Sequence, residues 1–505
     1  MLSVVSGRQP APCPAPFNLA AHVLAAGAFT PDKIALQIVR PAGAERWSYG
    51  RLAEAVLGAG AMLRAAGPEP GDRVLLRLGN GVAFPIAFLG AIAAGLVPVP
   101  TSAQLTEAEL APIVADIRPA LIVAGPGIAL PSGPPCPVLD GASLLSCAGH
   151  APVAPELGDP GRPAYIVFTS GSNGRPRAVL HAHRAIWARR MMWDGWYGLT
   201  SDDRLMHAGA FNWTYTLGTG LLDPWAAGAT ALIPAAGVEP EKLPLLMKRF
   251  DATIFAAAPG VYRKLLKSGV KLSLPRLRHG LSAGEKLPDV TRAAWEEATG
   301  RPVHEALGMT ECSTFISAHP GAPAPPGAIG WPQTGRHVAV LGQDGQPVPH
   351  GAAGVLAIHR SDPGLFLSYL DAPDETASRY SGDWFLTGDM VTMAEDGAVT
   401  YLGRQDDMLN AGGFRVSPLE VEAAMAACPG AGEVAAVEVT LRADTSVIGL
   451  AHTGPADPAA LAAHAETCLA RYKQPRLYRR RDSLEHTATG KIDRRAIRKE
   501  WEASR

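Results

Sequence analysis

Two shortages in the sequence exclude whole classes of protein. The chain has 505 residues and six cysteines, none in a CxxC pair, which argues against a zinc ribbon, a thioredoxin-type site or a disulfide-stapled secreted scaffold. Neither sign of charge is in excess, because Lys plus Arg total 46 and Asp plus Glu total 47, so nucleic acid is not expected as a partner. Prolines stand near the N-terminus where a signal peptide needs an apolar run, and we expect a reduced, cytoplasmic protein.

One uncharged run is long enough to require a membrane test. Residues 82–100 carry no charge over 19 positions, which nominally suffices to span a bilayer. Three prolines and two glycines interrupt the run. The pattern therefore predicts a buried helix at about 84–94, a buried strand at 96–99, and no membrane span.

The apolar pattern is that of an α/β protein. Hydrophobic residues make up 47% of the chain and charged residues 18%, which is enough apolar material for large cores. Short apolar runs alternate with helix-like stretches, and this alternation predicts parallel sheets covered by helices. The predicted strands are 73–78, 121–123, 164–168 and 253–257, and the predicted helices include 49–66, 107–116 and 240–249.

A second region begins near residue 404. Shorter strands at 338–341, 355–359 and 398–402 predict a small β unit before it. Beyond Arg404 the pattern becomes helix, two strands and helix. We therefore predict a large N-terminal domain over 1–403 and a small α+β C-terminal domain over 404–505.

The most informative segment runs from 165 to 177. An apolar strand leads into a turn rich in hydroxyl, amide and glycine residues, and two arginines follow: Thr169, Ser170, Gly171, Ser172, Asn173, Gly174, Arg175 and Arg177. Glycines let backbone N–H groups close around an anion, while hydroxyls and amides add donors without negative charge. The segment predicts a cradle for nucleotide phosphates, and composition alone leaves a polar surface turn as the alternative. It is not a Walker A motif, since Gly490-Lys491 precedes Ile rather than Ser or Thr.

This segment resembles the phosphate-loop signature of the acyl-adenylate-forming superfamily, which includes acyl-CoA synthetases, adenylation domains of nonribosomal peptide synthetases and luciferases. Relatives usually have Lys-Gly where this chain has Arg177-Ala178. Five further blocks resemble the family's motifs, in the family's order: 282–288, 304–311, 384–389, 403–416 and 486–495. Taken singly, Asp389 is typical of a turn, Lys491 of a solvated loop and Arg404 of a surface ion pair. Their joint order and spacing favour the family.

The resemblance implies which residues hold ATP, Mg²⁺ and CoA. Thr310 would hold the α-phosphate, Glu311 would hold Mg²⁺, and Lys491 would be the catalytic lysine. The other residues implied for the nucleotide are Thr169, Ser170, Gly171, Ser172, Asn173, Gly174, Arg177, Gly284, Glu285, Glu305, Ala306, Leu307, Asp389 and Arg404. Asp406 would be the hinge of a mobile C-terminal domain, whose rotation would bring Gly412, Gly413 and Phe414 to the pantetheine arm.

The implied chemistry activates a carboxylic acid with ATP and passes the acyl group to a thiol. A carboxylate that attacks the α-phosphate meets a repulsion of roughly 4 kcal/mol per pair of unit charges, at about 4 Å and an effective dielectric near 20. Lys491 and the Mg²⁺ on Glu311 are the implied neutralising charges. Their task is positioning and electrostatic stabilisation rather than covalent catalysis.

The acyl pocket is implied by position in the family order. Its residues would be Met192, Phe211, Asn212, Trp213, Ser282, Ala283 and Gly308, with core packing as the alternative. Residues 211–218 resemble benzoate-CoA and related cyclic-carboxylate ligases, so we favour an aromatic or alicyclic acid. Two alternatives stay open here: an adenylation enzyme that loads the pantetheine of a carrier protein, and a degenerate nucleotide-binding protein without turnover. A homodimer is also compatible with the sequence.

Overall fold

The computed structural model describes residues 1–7, 10–146, 151–169, 177–267, 269, 271–411, 414–442, 445–471, 473–487 and 491–503. The chain divides into two units. The large unit comprises Val5–His337 and His359–Asp383, and the small unit comprises Met1–Val4, Val338–Ile358 and Trp384–Arg505. The predicted division into domains at residue 403 stays a prediction.

A nine-stranded sheet forms the centre of the large unit. Its six central strands run parallel, as the alternating pattern predicts, and antiparallel strands flank them at both edges. In spatial order the strands are Trp331–Pro332, Ser313–Ser317, Val303–Met309, His279–Ala283, Ile254–Ala257, Arg204–His207, Thr230–Pro234, Ile34–Arg40 and Gly43–Ser48. The carboxyl ends of the parallel strands share one edge, where open α/β sheets bind their ligands.

Two smaller sheets accompany it among the described residues. One is parallel, in the order Val97–Pro100, Arg73–Arg77, Leu121–Ala124 and Val138–Asp140. The other is antiparallel, in the order Ser368–Tyr369, Arg177–Ala182 and Pro163–Thr169. Two further short strands run over Val4–Ser6 and Tyr380–Ser381.

Helices bury apolar side chains against these sheets. The uncharged run forms the buried helix Ala83–Ala93 and the strand Val97–Pro100, as predicted. A capping box between Thr106 and Glu109 fixes the start of helix Glu107–Ile117. Within the described part of the chain, no helix is both long enough and apolar enough for a bilayer span. The other α-helices of the large unit are Leu19–Ala25, Tyr49–Ala65, Ala185–Ala188, Thr214–Leu217, Asp223–Ala226, Leu243–Arg249, Pro259–Leu266, Asp289–Thr299 and Pro373–Ser378.

The small unit combines mostly antiparallel strands with three helices among its described residues, and Leu477–Arg480 runs parallel to its neighbour Thr445–His452. His337–Leu341, Gly354–His359, Trp384–Met393 and Val399–Arg404 form its first sheet, His337 and His359 themselves being assigned to the large unit. A ribbon of Leu409–Ala411 and Phe414–Val416 follows, and a second sheet contains Val434–Arg442, Thr445–His452 and Leu477–Arg480. The helices Pro418–Ala426, Pro458–Cys468 and Arg494–Ala503 provide apolar side chains for its cores.

Candidate active site

The predicted phosphate loop joins two paired strands. Pro163–Thr169 and Arg177–Ala182 form an antiparallel hairpin in which Thr169 pairs with Arg177. Paired Cα atoms in such a ladder are about 4.5–5.5 Å apart, so the hairpin holds the two ends of the predicted loop side by side. The loop residues Ser170, Gly171, Ser172, Asn173 and Gly174 lie outside the described residues.

Arg177, which replaces the usual lysine, contacts two neighbouring side chains. Its guanidinium forms an ion pair with Glu375, and its Cζ lies 5.4 Å from the centre of the Tyr369 ring. Tyr369 belongs to the adjacent strand, where its backbone pairs with Val179. A planar guanidinium suits both contacts, because it can meet a carboxylate and lie over an aromatic ring. Arg177 therefore links the end of the loop to Tyr369.

Glu311 is fixed through both its backbone and its side chain. It follows the strand Val303–Met309 in a turn and is 7% exposed. The Tyr369 hydroxyl donates a hydrogen bond of 2.7 Å to Glu311 Oε1, and the Phe366 N–H donates to the Glu311 carbonyl at 2.8 Å. Burial and the Glu311 charge raise the pKa of Tyr369, so the phenol keeps its proton and stays a donor.

His181 holds the neighbouring residue, Thr310. Its Nε2 lies 2.9 Å from the Thr310 carbonyl oxygen, which can only accept, so we assign the proton to Nε2. Burial lowers the pKa of His181 to about 4, and the ring is neutral at physiological pH. The ring stacks on Tyr165 with centroids 4.8 Å apart. The turn that carries Thr310 and Glu311 is therefore anchored from two other strands.

A buried ion pair holds the far end of the same turn. Arg189 donates to Asp223 through Nε at 2.9 Å and through Nη2 at 2.6 Å, and its Nη1 donates to Ser313 Oγ at 2.6 Å. Burial alone would lower the pKa of Arg189, but the Asp223 carboxylate and the Tyr197 hydroxyl beside it reverse the shift and raise it. A Cβ at Gly218 would lie 2.1 Å from Arg189 Cζ, so the guanidinium fits only because residue 218 is glycine.

Three of the predicted acyl-pocket residues are brought together. Met192 and Ala283 belong to one buried apolar cluster, on a face of the central sheet. Trp213 packs edge-on against Tyr215 of that cluster, with ring centroids 6.2 Å apart. Thr314 Oγ1 donates to Met192 Sδ at 2.7 Å, which connects the cluster to the strand after Glu311. The cluster also contains Ala306, one of the residues predicted for the nucleotide.

Two glycines of the predicted site leave little or no room for a side chain. Gly284 has a φ of 98°, and a Cβ on it would lie 3.2 Å from the Trp213 ring. A Cβ on Gly308 would lie 2.5 Å from the Ser313 carbonyl oxygen, at the irregularity between the partly buried Leu307 and Gly308. Both glycines therefore allow close packing around the cluster and the turn.

Three other predicted pocket residues lie outside the cluster that contains Met192 and Ala283. Ser282 precedes Ala283 on the same strand and so faces the opposite side of the sheet, level with Glu305. Phe211 packs in another core cluster, with its ring centroid 5.1 Å from that of Phe84. Asn212 is partly exposed between Phe211 and Trp213. The pocket role of Ser282, Phe211 and Asn212 stays a prediction.

Glu305 anchors the loop 284–288, which carries Gly284 and Glu285. It is 2% exposed and accepts hydrogen bonds from the Leu287 N–H at 2.7 Å and from Arg292 at 2.9 Å. Burial raises the pKa of Glu305, although neighbouring cations oppose the shift. These contacts give Glu305 a structural role in holding the loop beside Trp213.

Asp389 and Arg404 face each other in the small unit. They are paired residues of neighbouring strands, and Arg404 Nη1 lies 3.0 Å from Asp389 Oδ1. The same nitrogen donates to the Thr387 carbonyl at 3.1 Å, and the Tyr401 hydroxyl lies 3.4 Å from Asp389 Oδ1. Two residues predicted to bind the nucleotide are thus brought together.

Lys491 lies on an exposed part of the small unit. The Thr487 N–H donates to the Lys491 carbonyl at 2.7 Å, and the Lys491 N–H donates to Thr487 Oγ1 at 3.2 Å. Helix Arg494–Ala503 follows, and Asp493 caps it by accepting from the Ala496 N–H at 2.9 Å. Lys491 is therefore tied to Thr487 through its backbone and is followed closely by a capped helix.

The predicted hinge follows the strand Val399–Arg404. Asp406 lies in the short 3-10 helix Gln405–Asp407. Phe414 opens the second strand of the ribbon, whose first strand is Leu409–Ala411. Gly412 and Gly413 lie outside the described residues.

Sequence reasoning missed the side chains that hold the Thr310–Glu311 turn. His181 is 129 residues from Thr310 and Tyr369 is 58 residues from Glu311, so no local pattern connects them. The sequence did carry a signal for Arg189 and Asp223. Each is a charged residue in a largely apolar stretch, and because buried charges need partners, a buried ion pair could have been predicted.

The residues present fit a Mg²⁺ ion that is shared with a substrate. The described residues contain no group of three or more His, Cys, Asp or Glu side chains that could enclose a metal by themselves. Mg²⁺ commonly binds one or two carboxylates together with water and substrate phosphates. Glu311 offers such a carboxylate, oriented by Tyr369.

Comparison with known proteins gives a consistent result. Residues 24–370 match the family model described as AMP-binding enzyme. The 3-hydroxybenzoate–CoA ligase of Aromatoleum sp. (strain CIB) is 30% identical, over 92% of this chain and 93% of that protein. The benzoate–CoA ligase of Thauera aromatica is 32% identical, over 94% of this chain and 91% of that protein.

Solved structures share the fold over nearly the whole chain. ATP-bound MatB from Rhodopseudomonas palustris superposes with a TM-score of 0.88 at 28% identity, covering 96% of this chain and 99% of that one. A benzoate CoA ligase from Burkholderia xenovorans LB400 superposes with a TM-score of 0.83 at 26% identity, covering 95% of this chain and 100% of that one.

Proposed function

The chain belongs to the AMP-binding enzyme family, and from this premise we propose that it is an AMP-forming acid–CoA ligase. It consumes ATP to convert a carboxylic acid into an acyl adenylate with release of pyrophosphate, and it then transfers the acyl group to the thiol of CoA with release of AMP. The observation that carries the proposal is the turn of Thr310 and Glu311, which His181, Tyr369 and Arg189 anchor beside a buried aromatic cluster.

The roles of individual residues follow from this reaction. Glu311 holds Mg²⁺, and Thr310 positions the α-phosphate beside it. Bound Mg²⁺ supplies positive charge that offsets the repulsion between a carboxylate and a phosphate. Lys491 supplies the second positive charge, from the C-terminal domain. Asp389 holds the ribose hydroxyls, and its ion pair with Arg404 supports this role by fixing the orientation of its carboxylate.

The acyl substrate is an aromatic or alicyclic acid. The cluster of Met192, Trp213, Tyr215 and Ala283 supports this choice, because flat aromatic walls with small residues between them suit a ring. The relatives named benzoate–CoA and 3-hydroxybenzoate–CoA ligase agree with it.

Several finer predictions remain proposals. The C-terminal domain over 404–505 rotates about Asp406 between the two half-reactions and brings Gly412, Gly413 and Phe414 to the pantetheine arm. CoA is proposed as the acceptor in preference to a carrier protein, because the relatives above are named as CoA ligases. A cytoplasmic location and a homodimer complete the proposal.

The test measures pyrophosphate release over a panel of carboxylic acids, with ATP, Mg²⁺ and either CoA or a pantetheinylated carrier protein. We expect acid-dependent pyrophosphate and an acyl-CoA product from at least one ring acid. Transfer to the carrier but not to CoA would overturn the acceptor assignment. ATP binding without pyrophosphate release on every acid would instead support a degenerate nucleotide-binding protein.

A further inference from the structure

His207 is a buried histidine that the reaction above does not use. It is the last residue of strand Arg204–His207 and is 1% exposed. Neither ring nitrogen has a hydrogen-bond partner among the described residues, although an unpaired buried polar group costs about 1–3 kcal/mol. Burial lowers its pKa to about 3, so the ring is neutral, with one nitrogen that donates and one that accepts.

A second unpaired group lies beside it. The hydroxyl of Thr216 is buried and likewise has no hydrogen-bond partner within the described ranges. A Cβ built on Gly209 would lie 2.2 Å from Thr216 Oγ1 and 3.2 Å from His207 Nδ1. The two side chains therefore converge on the same small volume, from a strand end and from helix Thr214–Leu217.

His207 also ends a row of side chains on one face of the sheet, of which Ala256, Ala283 and Ala306 are small and Leu281 is large. His207 pairs with Ala256, Ala256 pairs with Leu281, and Ala283 pairs with Ala306. Paired residues of parallel strands face the same way, and residues two apart on a strand share a face. The row thus crosses three strand spacings, about 14 Å, from the strand that precedes Thr310 to His207.

Large aromatic side chains accompany this row. The Tyr215 ring lies edge-on to His207, with centroids 4.4 Å apart, and Trp213 packs against Tyr215 in turn. Tyr215 belongs to the same buried cluster as Ala256, Ala283 and Ala306. Small side chains along the sheet and aromatic rings beside them suit a flat ring, and the unpaired groups of His207 and Thr216 lie at the end remote from Thr310.

We propose that His207 and Thr216 are specificity-determining residues of the acyl site, and that the preferred acids carry a hydroxyl or amino group on the ring edge remote from the carboxylate. This inference rests on the proposed function and names its substrate class. A site built to hydrogen-bond a substrate group discriminates strongly against the analogue that lacks it, because its own polar groups are then left unpaired. A purely apolar pocket, by contrast, discriminates only modestly between an acid with a hydroxyl or amino group and the analogue without it.

The test compares kcat/KM for benzoate, 3-hydroxybenzoate, 4-hydroxybenzoate and 4-aminobenzoate in the wild type and in two variants. We expect at least one substituted acid to exceed benzoate by roughly tenfold or more in the wild type. Thr216→Val keeps the shape of the side chain, and His207→Phe keeps a ring against Tyr215. Each should lower that ratio by roughly tenfold.

Thr230→Val is the matched control, because its hydroxyl donates to the Ile34 carbonyl at 2.7 Å at the start of strand Thr230–Pro234. It should lower the melting temperature and leave the ratio unchanged. The inference is overturned if benzoate is converted as well as every substituted acid, or if Thr216→Val lowers only the melting temperature. Pyrophosphate release from none of the acids would instead overturn the proposed function, so the two failures are distinguishable.

Discussion

Replacing Tyr369 by phenylalanine tests how the Mg²⁺-binding carboxylate is oriented. The Tyr369 hydroxyl donates to Glu311 Oε1 at 2.7 Å, and the Arg177 guanidinium carbon lies 5.4 Å from the centre of the Tyr369 ring. Tyr369→Phe keeps the ring and its backbone pairing with Val179 but removes the donor. Glu311 would then be free to rotate away from the orientation in which it meets the metal.

The expected loss of Mg²⁺ affinity follows from the strength of this hydrogen bond. A hydrogen bond to a charged group contributes about 1.5–3 kcal/mol, which corresponds to a factor of about 10 to 150. We therefore expect Tyr369→Phe to raise the Mg²⁺ concentration for half-maximal pyrophosphate formation by at least roughly tenfold. Binding of Mn²⁺ in the presence of a non-hydrolysable ATP analogue, followed by electron paramagnetic resonance, should weaken by a similar factor without any turnover.

Tyr262→Phe is the matched control for this substitution. Tyr262 is also buried, and its hydroxyl lies within hydrogen-bond distance of two backbone carbonyls, those of Phe255 at 3.1 Å and Leu281 at 3.0 Å. Its loss should lower the free energy of unfolding and leave the Mg²⁺ dependence unchanged. Equal Mg²⁺ dependence in Tyr369→Phe and the wild type would refute the argument that Tyr369 orients Glu311.

Four other substitutions test separate parts of the structure. Lys491→Ala should slow acid-dependent pyrophosphate formation by roughly 10²–10³, and Asp406→Pro should impair thioester formation more than adenylation, each measured by its own half-reaction. Asp223→Ala leaves Arg189 buried without its carboxylate and should cost about 3–5 kcal/mol in urea unfolding. His183 Nδ1 accepts from the Leu19 N–H at 3.0 Å, and burial lowers its pKa to about 3. Below about pH 6.5 the unfolded chain binds a proton at His183 that the folded chain excludes, so the free energy of unfolding decreases as the pH is lowered. His183→Gln should reduce the slope of the free energy of unfolding against pH by about 1.4 kcal/mol per pH unit, measured from urea unfolding between pH 5 and 6.

The fold was largely predictable because its signals are local. Buried parallel strands read as short apolar runs and helices as longer periodic ones, and each pattern covers only a few residues. The predicted helix 49–66 is observed as Tyr49–Ala65 and the strand 121–123 as Leu121–Ala124. The family resemblance is confirmed by the match over 24–370.

Which face a strand residue occupies was less predictable. Ser282 and Ala283 are neighbours in one motif, yet they point to opposite faces, since side chains alternate along a strand. Both faces of this strand are buried, because it lies inside a parallel sheet with apolar clusters on each side. Hydrophobicity therefore could not identify the face that carries the acyl cluster, and only the register with Val303–Met309 distinguishes the two.

The side chains that anchor the turn of Thr310 and Glu311 were the least predictable part of the site, for a physical reason. A hydrogen bond requires two atoms about 3 Å apart and places no condition on their separation in sequence. His181, Arg189 and Tyr369 therefore reach the turn from three segments that share no motif with it. A motif marks the side chains proposed to touch the substrate, whereas the geometry of those side chains depends on residues outside it. Substitutions at these supports should accordingly alter metal dependence and rate, although no motif marks their positions.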